Sequence, residues 1–231
     1  MAEFDQYADS YDEDLNRSLA ISGESKEFFC EGRLQWLAEW LRRNGRRAGR
    51  VLDFGCGTGS ATEGLLRLPG AESVLGADVS EASIRHARRL HGQGAAEFQT
   101  LQNPLPGDLD LAHCNGVFHH IPPDQRQESL KLVFKALKPG GLFALYENNP
   151  WNPGTRLVMS RCRFDRDAIT LSPPETRRRM RDAGFELLET RHLFFFPSFL
   201  AWFRPLESLL SAIPMGAQYV VLGRVPAQTN R

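Results

Sequence analysis

Short apolar runs alternate with longer amphipathic segments from Val51 to the end of the chain. Runs such as RVLDF, SVLGADV and LDLAHCN have the length and apolar content of strands buried on both faces. The segments between them repeat apolar residues every three or four positions, which is typical of helices packed on a sheet. The pattern predicts seven strands, at residues 50–54, 73–79, 95–101, 109–115, 141–147, 185–196 and 217–225.

Capping and stop residues mark the predicted helices. One helix follows the glycines at 60–68, and a second covers 80–92 with Ser80 as N-cap and Gly92 as stop. The segment 122–141 has the clearest helical period and ends at a Pro-Gly-Gly sequence. A helix that begins at SPPE (172–175) runs to Ala183.

Strands that alternate with helices predict right-handed crossovers, a mostly parallel sheet and helices on both faces. The last two strands are separated by a short region broken by Pro205 and Pro214, so the final strand is expected to be antiparallel. Helical segments at 3–19 and 25–43 precede the sheet. We therefore expect a Rossmann-like α/β fold in which residues 1–45 form a helical cap, 46–225 one globular domain and 226–231 a tail.

Composition narrows the class of protein. The 231 residues include 28 Lys+Arg and 28 Asp+Glu, and a net charge of zero argues against a broad nucleic-acid surface. The four cysteines form no CxxC pair and no zinc-like cluster, so no metal is expected and a reducing compartment is favoured. The polar N-terminus is atypical of a signal peptide, and no apolar run is as long as a membrane span, so we expect a cytoplasmic protein.

The stretch VLDFGCGTGS (51–60) carries the candidate chemistry. A strand that leads into glycines and then a helix presents backbone N–H groups to a ligand. The stretch lacks the lysine of a phosphate-binding P-loop, and its GxGxG spacing differs from the GxGxxG of dinucleotide folds.

Two acids define the ligand further. Asp53 precedes the glycines and suits loop N–H groups or a ligand ammonium, whereas a pyrophosphate would repel it. Asp78 ends the second strand, where a carboxylate reaches both ribose hydroxyls of an adenosine. The site is therefore predicted to bind an adenosine with a cationic group and no phosphate.

VLDFGCGTGS, GADVS and AHCNGVFHHIPPDQR together resemble the signature segments of class I S-adenosylmethionine-dependent methyltransferases. The resemblance covers roughly residues 50–150 and implies S-adenosyl-L-methionine as cofactor, held under its methionine part by the glycine loop. It places Asp53 near the amino group, directly or through water, Asp78 on the ribose, and the end of the fourth strand beside the transferred methyl. The cofactor residues that it implies are Asp53, Gly55, Cys56, Gly57, Thr58, Gly59, Asp78, Val79, Cys114, Asn115 and Gly116.

Two further cofactor contacts are expected outside these signature segments. The family often has an acid after the third strand that contacts adenine, but this chain has QTLQNPLP there, so Gln102 or Thr100 is expected to accept instead, unless Gln102 is a plain loop residue. The N-terminal FDQYADSYD resembles the helix that closes over the cofactor, which makes Tyr11, and with it Tyr7, a lid residue. The alternative is that both tyrosines only pack on the domain.

Histidines and a polar loop are the candidate acceptor-side groups. His120 and His119 are candidate general bases, because a neutral imidazole takes a proton from an attacking hydroxyl or amine; the alternative is that they satisfy nearby backbone groups.

The loop after the fifth strand lies at the rim of the pocket. Its predicted substrate contacts are Glu147, Asn148, Asn149 and Trp151, with an Asn-Pro turn as the alternative.

The aromatic stretch LFFFPSFLAWF (193–203) indicates an apolar acceptor, with Trp202 as a contact, or else core packing or a dimer interface. We expect a methyltransferase that acts on a small-molecule or lipid-like acceptor, with oxygen favoured over nitrogen or carbon. Peripheral membrane contact stays open, and no oligomeric state follows. The alternatives are a silent S-adenosylmethionine-binding module and, less in keeping with GxGxG and Asp53, an NAD-dependent oxidoreductase.

Overall fold

A computed structural model describes residues 18–163, 165 and 167–227. The predicted lid residues Tyr7 and Tyr11 lie outside the described residues. A seven-stranded sheet of order β3-β2-β1-β4-β5-β7-β6 forms its centre. The strands are β1 Gly49–Phe54, β2 Ala71–Asp78, β3 Ala96–Thr100, β4 Leu109–Asn115, β5 Leu137–Asn148, β6 Glu186–Leu193 and β7 Gln218–Arg224.

The sheet is parallel except for β7, which pairs antiparallel with both β5 and β6. The expected Rossmann-like fold with a reversed final strand is confirmed. Strand order reverses between β1 and β4, and in open α/β sheets ligands bind at the carboxyl ends of the strands at this point.

Helices cover both faces of the sheet. We number the described α-helices α1 Lys26–Arg43, α2 Thr62–Leu66, α3 Glu81–His91, α4 Arg126–Ala136, α5 Pro153–Arg161, α6 Pro173–Asp182 and α7 Glu207–Leu210. Two 3-10 helices lie at Ala20–Ser22 and Ser198–Leu206. Within the described residues, no helix is long and apolar enough to cross a membrane.

Alternation along β1 divides the core into two layers. Val51 packs with Leu37 and Leu41 of α1 on one face, whereas Leu52 packs with Leu130 of α4 and Met180 of α6 on the other. Because successive strand residues point to opposite faces, both layers need apolar residues, which explains the continuous apolar runs. Helix α1 thus shares a core with the sheet, and the domain boundary at residue 45 stays a prediction.

Side-chain caps fix several helix starts. Ser80 Oγ accepts from Ser83 N–H at 3.1 Å and Ser172 Oγ from Glu175 N–H at 3.4 Å, so both predicted caps are confirmed. The Ser80 cap begins α3 two residues after Asp78, the carboxylate that ends β2.

Two predicted boundaries are wrong. The fourth helix ends at Ala136, and β5 begins at Leu137 and includes the Pro-Gly-Gly sequence, where Gly140 N–H bonds Val225 O at 2.9 Å. Strand β6 ends at Leu193, not at residue 196, because Phe194 has φ 62°. A left-handed residue breaks the ladder, so the phenylalanines turn away from the sheet.

Candidate functional site

Two cavities open at the carboxyl ends of β1, β2, β4 and β5. The cofactor cleft, of about 340 Å³, is lined by the glycine loop, by Asp78 and by the turn after β4. The acceptor cavity, of about 370 Å³, is lined by α1, α5 and the aromatic segment after β6. Asn115 and Gly116 line both cavities. The end of β4 is therefore the place where two bound molecules would meet.

The glycine loop needs its left-handed residues. Gly55 has φ 75°, and a Cβ there would lie 2.3 Å from Val117 Cγ2. Gly57 has φ 52°, and its N–H donates to Asp78 Oδ2 at 2.9 Å. Gly55, Gly57 and Thr58 line the cofactor cleft. The loop thus brings its backbone against the space where a ligand would lie.

Asp78 is held at the mouth of the same cleft. Its Oδ1 accepts from Ser80 N–H at 2.8 Å, while Oδ2 accepts from the loop. Burial raises the pKa of Asp78, although the two N–H donors oppose the shift. Its neighbour Val79 lines the cleft with an exposed side chain. Asp78 thus lines the cleft, and its contact with a ribose stays a prediction.

Asp53 has a protein partner. It is buried, and its Oδ1 lies 2.8 Å from His113 Nδ1 on the adjacent strand β4. Asp53 does not line the cofactor cleft, so the geometry does not support a direct contact with a ligand ammonium. The contact through water stays a prediction.

The side-chain oxygen of Asn115 is a hydrogen-bond acceptor that no described residue of the protein satisfies. Its Oδ1 is buried and, among the described residues, has no hydrogen-bond donor. Buried polar atoms are nearly always bonded, so an orphaned acceptor at the meeting point of two cavities indicates a ligand donor. An ammonium group is one donor that fits.

Four other expected cofactor residues lie elsewhere. Gln102 is exposed and does not line the cleft, which is reached there by Leu101. Cys56 and Cys114 are buried in the core, where desolvation raises the pKa of each thiol, and Gly59 packs against the Phe98 and His91 side chains. None of these four residues lines the cleft, and Cys56, Gly59 and Cys114 are buried beneath it.

Aromatic side chains form the far wall of the acceptor cavity. The Phe194 ring lies 5.8 Å from that of Phe28 and 4.9 Å from that of Phe29, centroid to centroid. Phe195 and Phe196 also line the cavity, and Glu207 Oε1 accepts from both of their N–H groups at 3.0 Å. The left-handed Phe194 therefore directs an aromatic cluster towards the site.

The opposite wall of the acceptor cavity is polar. Arg33 Nη1 donates to Gln218 Oε1 at 2.8 Å, and Gln218 Nε2 donates to Asn148 Oδ1 at 3.2 Å. All three residues line the cavity. Asn148 is thus placed where the sequence predicted a substrate contact.

Glu147 and His119 form a buried pair. His119 Nδ1 lies 2.6 Å from Glu147 Oε2, and Glu147 Oε1 accepts from Phe118 N–H at 2.8 Å. Glu147 does not line the acceptor cavity, so it positions His119 and is not a substrate contact, contrary to expectation. His119 itself lines the cavity.

The protonation state of His119 does not suit a general base. Burial alone would lower its pKa, but the carboxylates of Glu147 and Asp165 outweigh this and raise the pKa of His119 to about 10. The two carboxylates therefore stabilise a positive charge at this ring. This stabilisation disfavours His119 as a base, and the base roles of His119 and of His120, which lines the cofactor cleft, stay predictions.

Asp165 was not predicted. Its Oδ1 lies 3.4 Å from Nε2 of both His119 and His120. Burial would raise its pKa, but the two imidazoles hold the pKa of Asp165 well below the usual range. No local motif marks this loop residue, and only the tertiary fold brings it to the histidines.

Besides Glu147, three further expected substrate contacts do not line the acceptor cavity. Asn149 is buried, and its Oδ1 accepts from Trp151 N–H at 3.1 Å, a local bond of the kind that the Asn-Pro turn alternative predicted. Its Nδ2 donates to the distant Pro214 O at 3.1 Å and Gly216 O at 2.8 Å. Trp151 is exposed outside the cavity, and Trp202 is 73% exposed on the outer face of its 3-10 helix. Asn149 therefore shapes the loop, and the two tryptophans face outward.

Sequence comparison gives one family match and several relatives. Residues 52–143 match the family described as "Methyltransferase domain". A trans-aconitate 2-methyltransferase of Variovorax paradoxus is 36% identical over 115 residues, which cover 48% of this chain and 43% of the relative. A sterol 24-C-methyltransferase of Aspergillus fumigatus is 26% identical over 174 residues, covering 68% of this chain and 45% of the relative. The chain spans less than half the length of the curated relatives it matches.

Solved structures share the fold over nearly the whole chain. A methyltransferase of Haloferax volcanii, in complex with its Trm112 activator, superposes with a TM-score of 0.66 at 18% identity, over 97% of this chain and 98% of the other. A possible histamine N-methyltransferase of Thermotoga maritima gives a TM-score of 0.66 at 22% identity, over 96% and 97%. At these identities the two structures show that the chain shares their fold.

Proposed function

We propose that this chain is a class I S-adenosylmethionine-dependent methyltransferase, which binds S-adenosyl-L-methionine and transfers its methyl group to an oxygen of a small-molecule or lipid-like acceptor. One observation carries the proposal. A cleft with a glycine loop and a ribose-type carboxylate meets an aromatic cavity at Asn115 and Gly116. Two adjoining cavities suit two molecules that must react with each other.

The residues of the cofactor cleft suit S-adenosylmethionine. Asp78 offers carboxylate oxygens to the ribose hydroxyls, and the buried Asn115 Oδ1 offers an acceptor to the ammonium group. Among the residues that the structure describes, no lysine or arginine lines this cleft, which disfavours a pyrophosphate. When bound, the cofactor supplies a methyl on a sulfonium, which is already a strong electrophile.

The chain's own residues are then needed mainly for placement. The aromatic wall around Phe194 would exclude water and pack the apolar body of the acceptor. Asn148 and Gln218 would orient its polar end towards Asn115. Orientation of this kind is a large part of the rate enhancement in reactions between two bound substrates.

The relatives support an acceptor with an oxygen or an apolar body. One is named as a trans-aconitate 2-methyltransferase and another as a sterol 24-C-methyltransferase. The aromatic wall favours an apolar body, while Arg33 and Lys26 at the same cavity suit an oxygen-bearing, anionic or hydroxylated end. We therefore infer an amphiphilic acceptor.

The test is transfer of a labelled methyl group from the cofactor to a panel of hydroxylated lipids, quinols, sugars and small acids. We expect label in an amphiphilic member of the panel as an ether or ester. A Phe195→Ala variant should raise KM for that acceptor and leave cofactor affinity unchanged. Label on nitrogen or carbon alone would contradict the choice of oxygen.

A lipid-like acceptor also implies contact with a lipid surface. Phe199 lines the acceptor cavity and is 72% exposed, and Trp202 and Leu209 continue this apolar surface outward. Exposed aromatic residues of this kind insert at membrane interfaces. Wild type should float with phosphatidylcholine–phosphatidylglycerol liposomes, and Trp202→Ala combined with Leu209→Ala should abolish flotation. An unbound wild type would contradict the lipid contact.

A further inference from the structure

The boundary between the two cavities carries a cluster that methyl transfer alone does not explain. His119 and Asp165 line the acceptor cavity, and His120 lines the cofactor cleft. One nitrogen of each histidine and one oxygen of Asp165 all lie within 4.8 Å of one another. We propose that His119 Nε2, His120 Nε2 and Asp165 Oδ1 bind a divalent transition-metal ion.

The spacing of these atoms suits a bound ion. Both Nε2 atoms lie 3.4 Å from Asp165 Oδ1. Ligands about 2.0–2.1 Å from a tetrahedral zinc ion are about 3.3–3.4 Å apart. Direct N–H···O hydrogen bonds are shorter, at about 2.7–3.2 Å. The two nitrogen-to-oxygen distances are therefore those of ligands that share an ion, and all three ligand atoms lie within 4.8 Å of one another.

Glu147 supplies the outer partner that metal-binding histidines usually have. His119 Nδ1 lies 2.6 Å from Glu147 Oε2, so Nδ1 carries a proton and Nε2 is the atom left for an ion. The carboxylate is fixed in turn by the Phe118 N–H at 2.8 Å. A carboxylate–histidine–metal arrangement fixes the ring orientation and raises the basicity of the ligand.

Ligand type and charge indicate the class of ion. Two imidazoles and one carboxylate favour zinc, manganese or iron over magnesium or calcium, which prefer oxygen ligands. The carboxylates of Glu147 and Asp165 together carry two negative charges at a site where both side chains are at most 10% exposed. A dication with two neutral imidazoles balances that charge.

A three-ligand site leaves a coordination position for another molecule. That position would take an acceptor oxygen in the neighbouring cavity and favour release of its proton to water. This role rests on the proposed function, whereas binding of the ion does not.

Metal binding is tested on the full chain after chelator treatment, by calorimetric titration with zinc chloride and with manganese chloride. Wild type should bind one equivalent of at least one ion. Glu147→Gln should weaken binding about 10–100-fold, as loss of an outer partner does. His120→Ala and Asp165→Asn should weaken it further, because they remove ligands. His86→Ala, which removes a histidine of α3 outside both cavities, should bind as wild type does.

No binding of either ion to wild type, or unchanged affinity in His120→Ala and Asp165→Asn, would overturn the proposal. S-adenosylhomocysteine is titrated into the same samples, with a thermal melt to show that each variant is folded. Binding of S-adenosylhomocysteine without metal binding would refute only the metal site. Metal binding without S-adenosylhomocysteine binding would refute the proposed function and leave the metal site standing.

Discussion

Asp78 shows how one residue connects the loop to the ligand. Its two oxygens accept from Ser80 N–H and Gly57 N–H, so the carboxylate is oriented before any ligand arrives. Pre-orientation lowers the entropic cost of binding. The acid at the end of the second strand and the glycines were predictable from the sequence, because strand ends and left-handed turns leave local signals.

Replacing Asp78 by Ala should weaken S-adenosylhomocysteine binding by about a hundredfold, because loss of hydrogen bonds to a charged group costs about 1.5–3 kcal/mol. Calorimetry measures the affinity. Asp108→Ala is the matched control, since Asp108 is an exposed partner of Arg50 outside both cavities. Equal affinity in Asp78→Ala and wild type would overturn the ribose assignment.

The raised pKa of Asp78 also predicts a pH dependence. Protonation removes the ability of the carboxyl group to accept two ribose hydroxyls, so affinity for S-adenosylhomocysteine should fall as the pH falls. Because the pKa is raised, the loss should begin at a higher pH than an ordinary aspartate would cause. Titrations across an acid pH series test this. A loss of the same size in Asp78→Asn would assign the effect to another group.

The acceptor-side residues show where sequence reasoning stops. Glu147 was predicted at the rim but pairs with His119, and Asp165 was not predicted although it contacts both histidines. These contacts join residues that are 28 and more positions apart in the chain. Neither periodicity nor a local motif reports such a pairing, because it depends on how a loop packs on the sheet.

Arg126 holds the elements around this site together. It begins α4 with its side chain 1% exposed, and its Nε donates to Ile121 O at 2.9 Å while its Nη2 donates to Ile169 O. Ile169 N–H in turn bonds His119 O at 2.9 Å. One guanidinium therefore links the turn after β4 to the segment that carries Asp165.

Arg126→Met should lower the free energy of unfolding by about 1–3 kcal/mol, because it leaves the carbonyl oxygens of Ile121 and Ile169 without their donor. Urea denaturation measures this change. Arg178→Met, on the exposed face of α6, should change the free energy of unfolding by less than about 0.5 kcal/mol. Equal stability of the two variants would show that the Arg126 bonds do not connect these elements.

The end of strand β6 before the left-handed Phe194 is a feature that the sequence did not predict. The sequence predicted a strand to residue 196, whereas β6 ends at Leu193 and the next phenylalanines line a cavity. Apolar runs of this length suit a strand or a cavity wall equally. Only the tertiary packing against Phe28 and Phe29 distinguishes the two.

At the scale of the whole molecule, alternation of strands and helices predicted the sheet, and the short connection broken by Pro205 and Pro214 predicted its reversed final strand. The crossover rule permits few arrangements of such a sequence. The acceptor cavity was less predictable, because α1, α5 and the segment after β6 form it from distant parts of the chain. The fold thus fixes the place of the cofactor cleft, and the less regular segments around it shape the acceptor cavity.

The central claim is that the cleft beside Asp78 binds a phosphate-free adenosine cofactor. Calorimetric titration of the full chain with S-adenosylhomocysteine, NAD and ATP tests it most directly. We predict binding of one equivalent of S-adenosylhomocysteine, with little or no heat from NAD or ATP. Tight binding of NAD together with no binding of S-adenosylhomocysteine would contradict it.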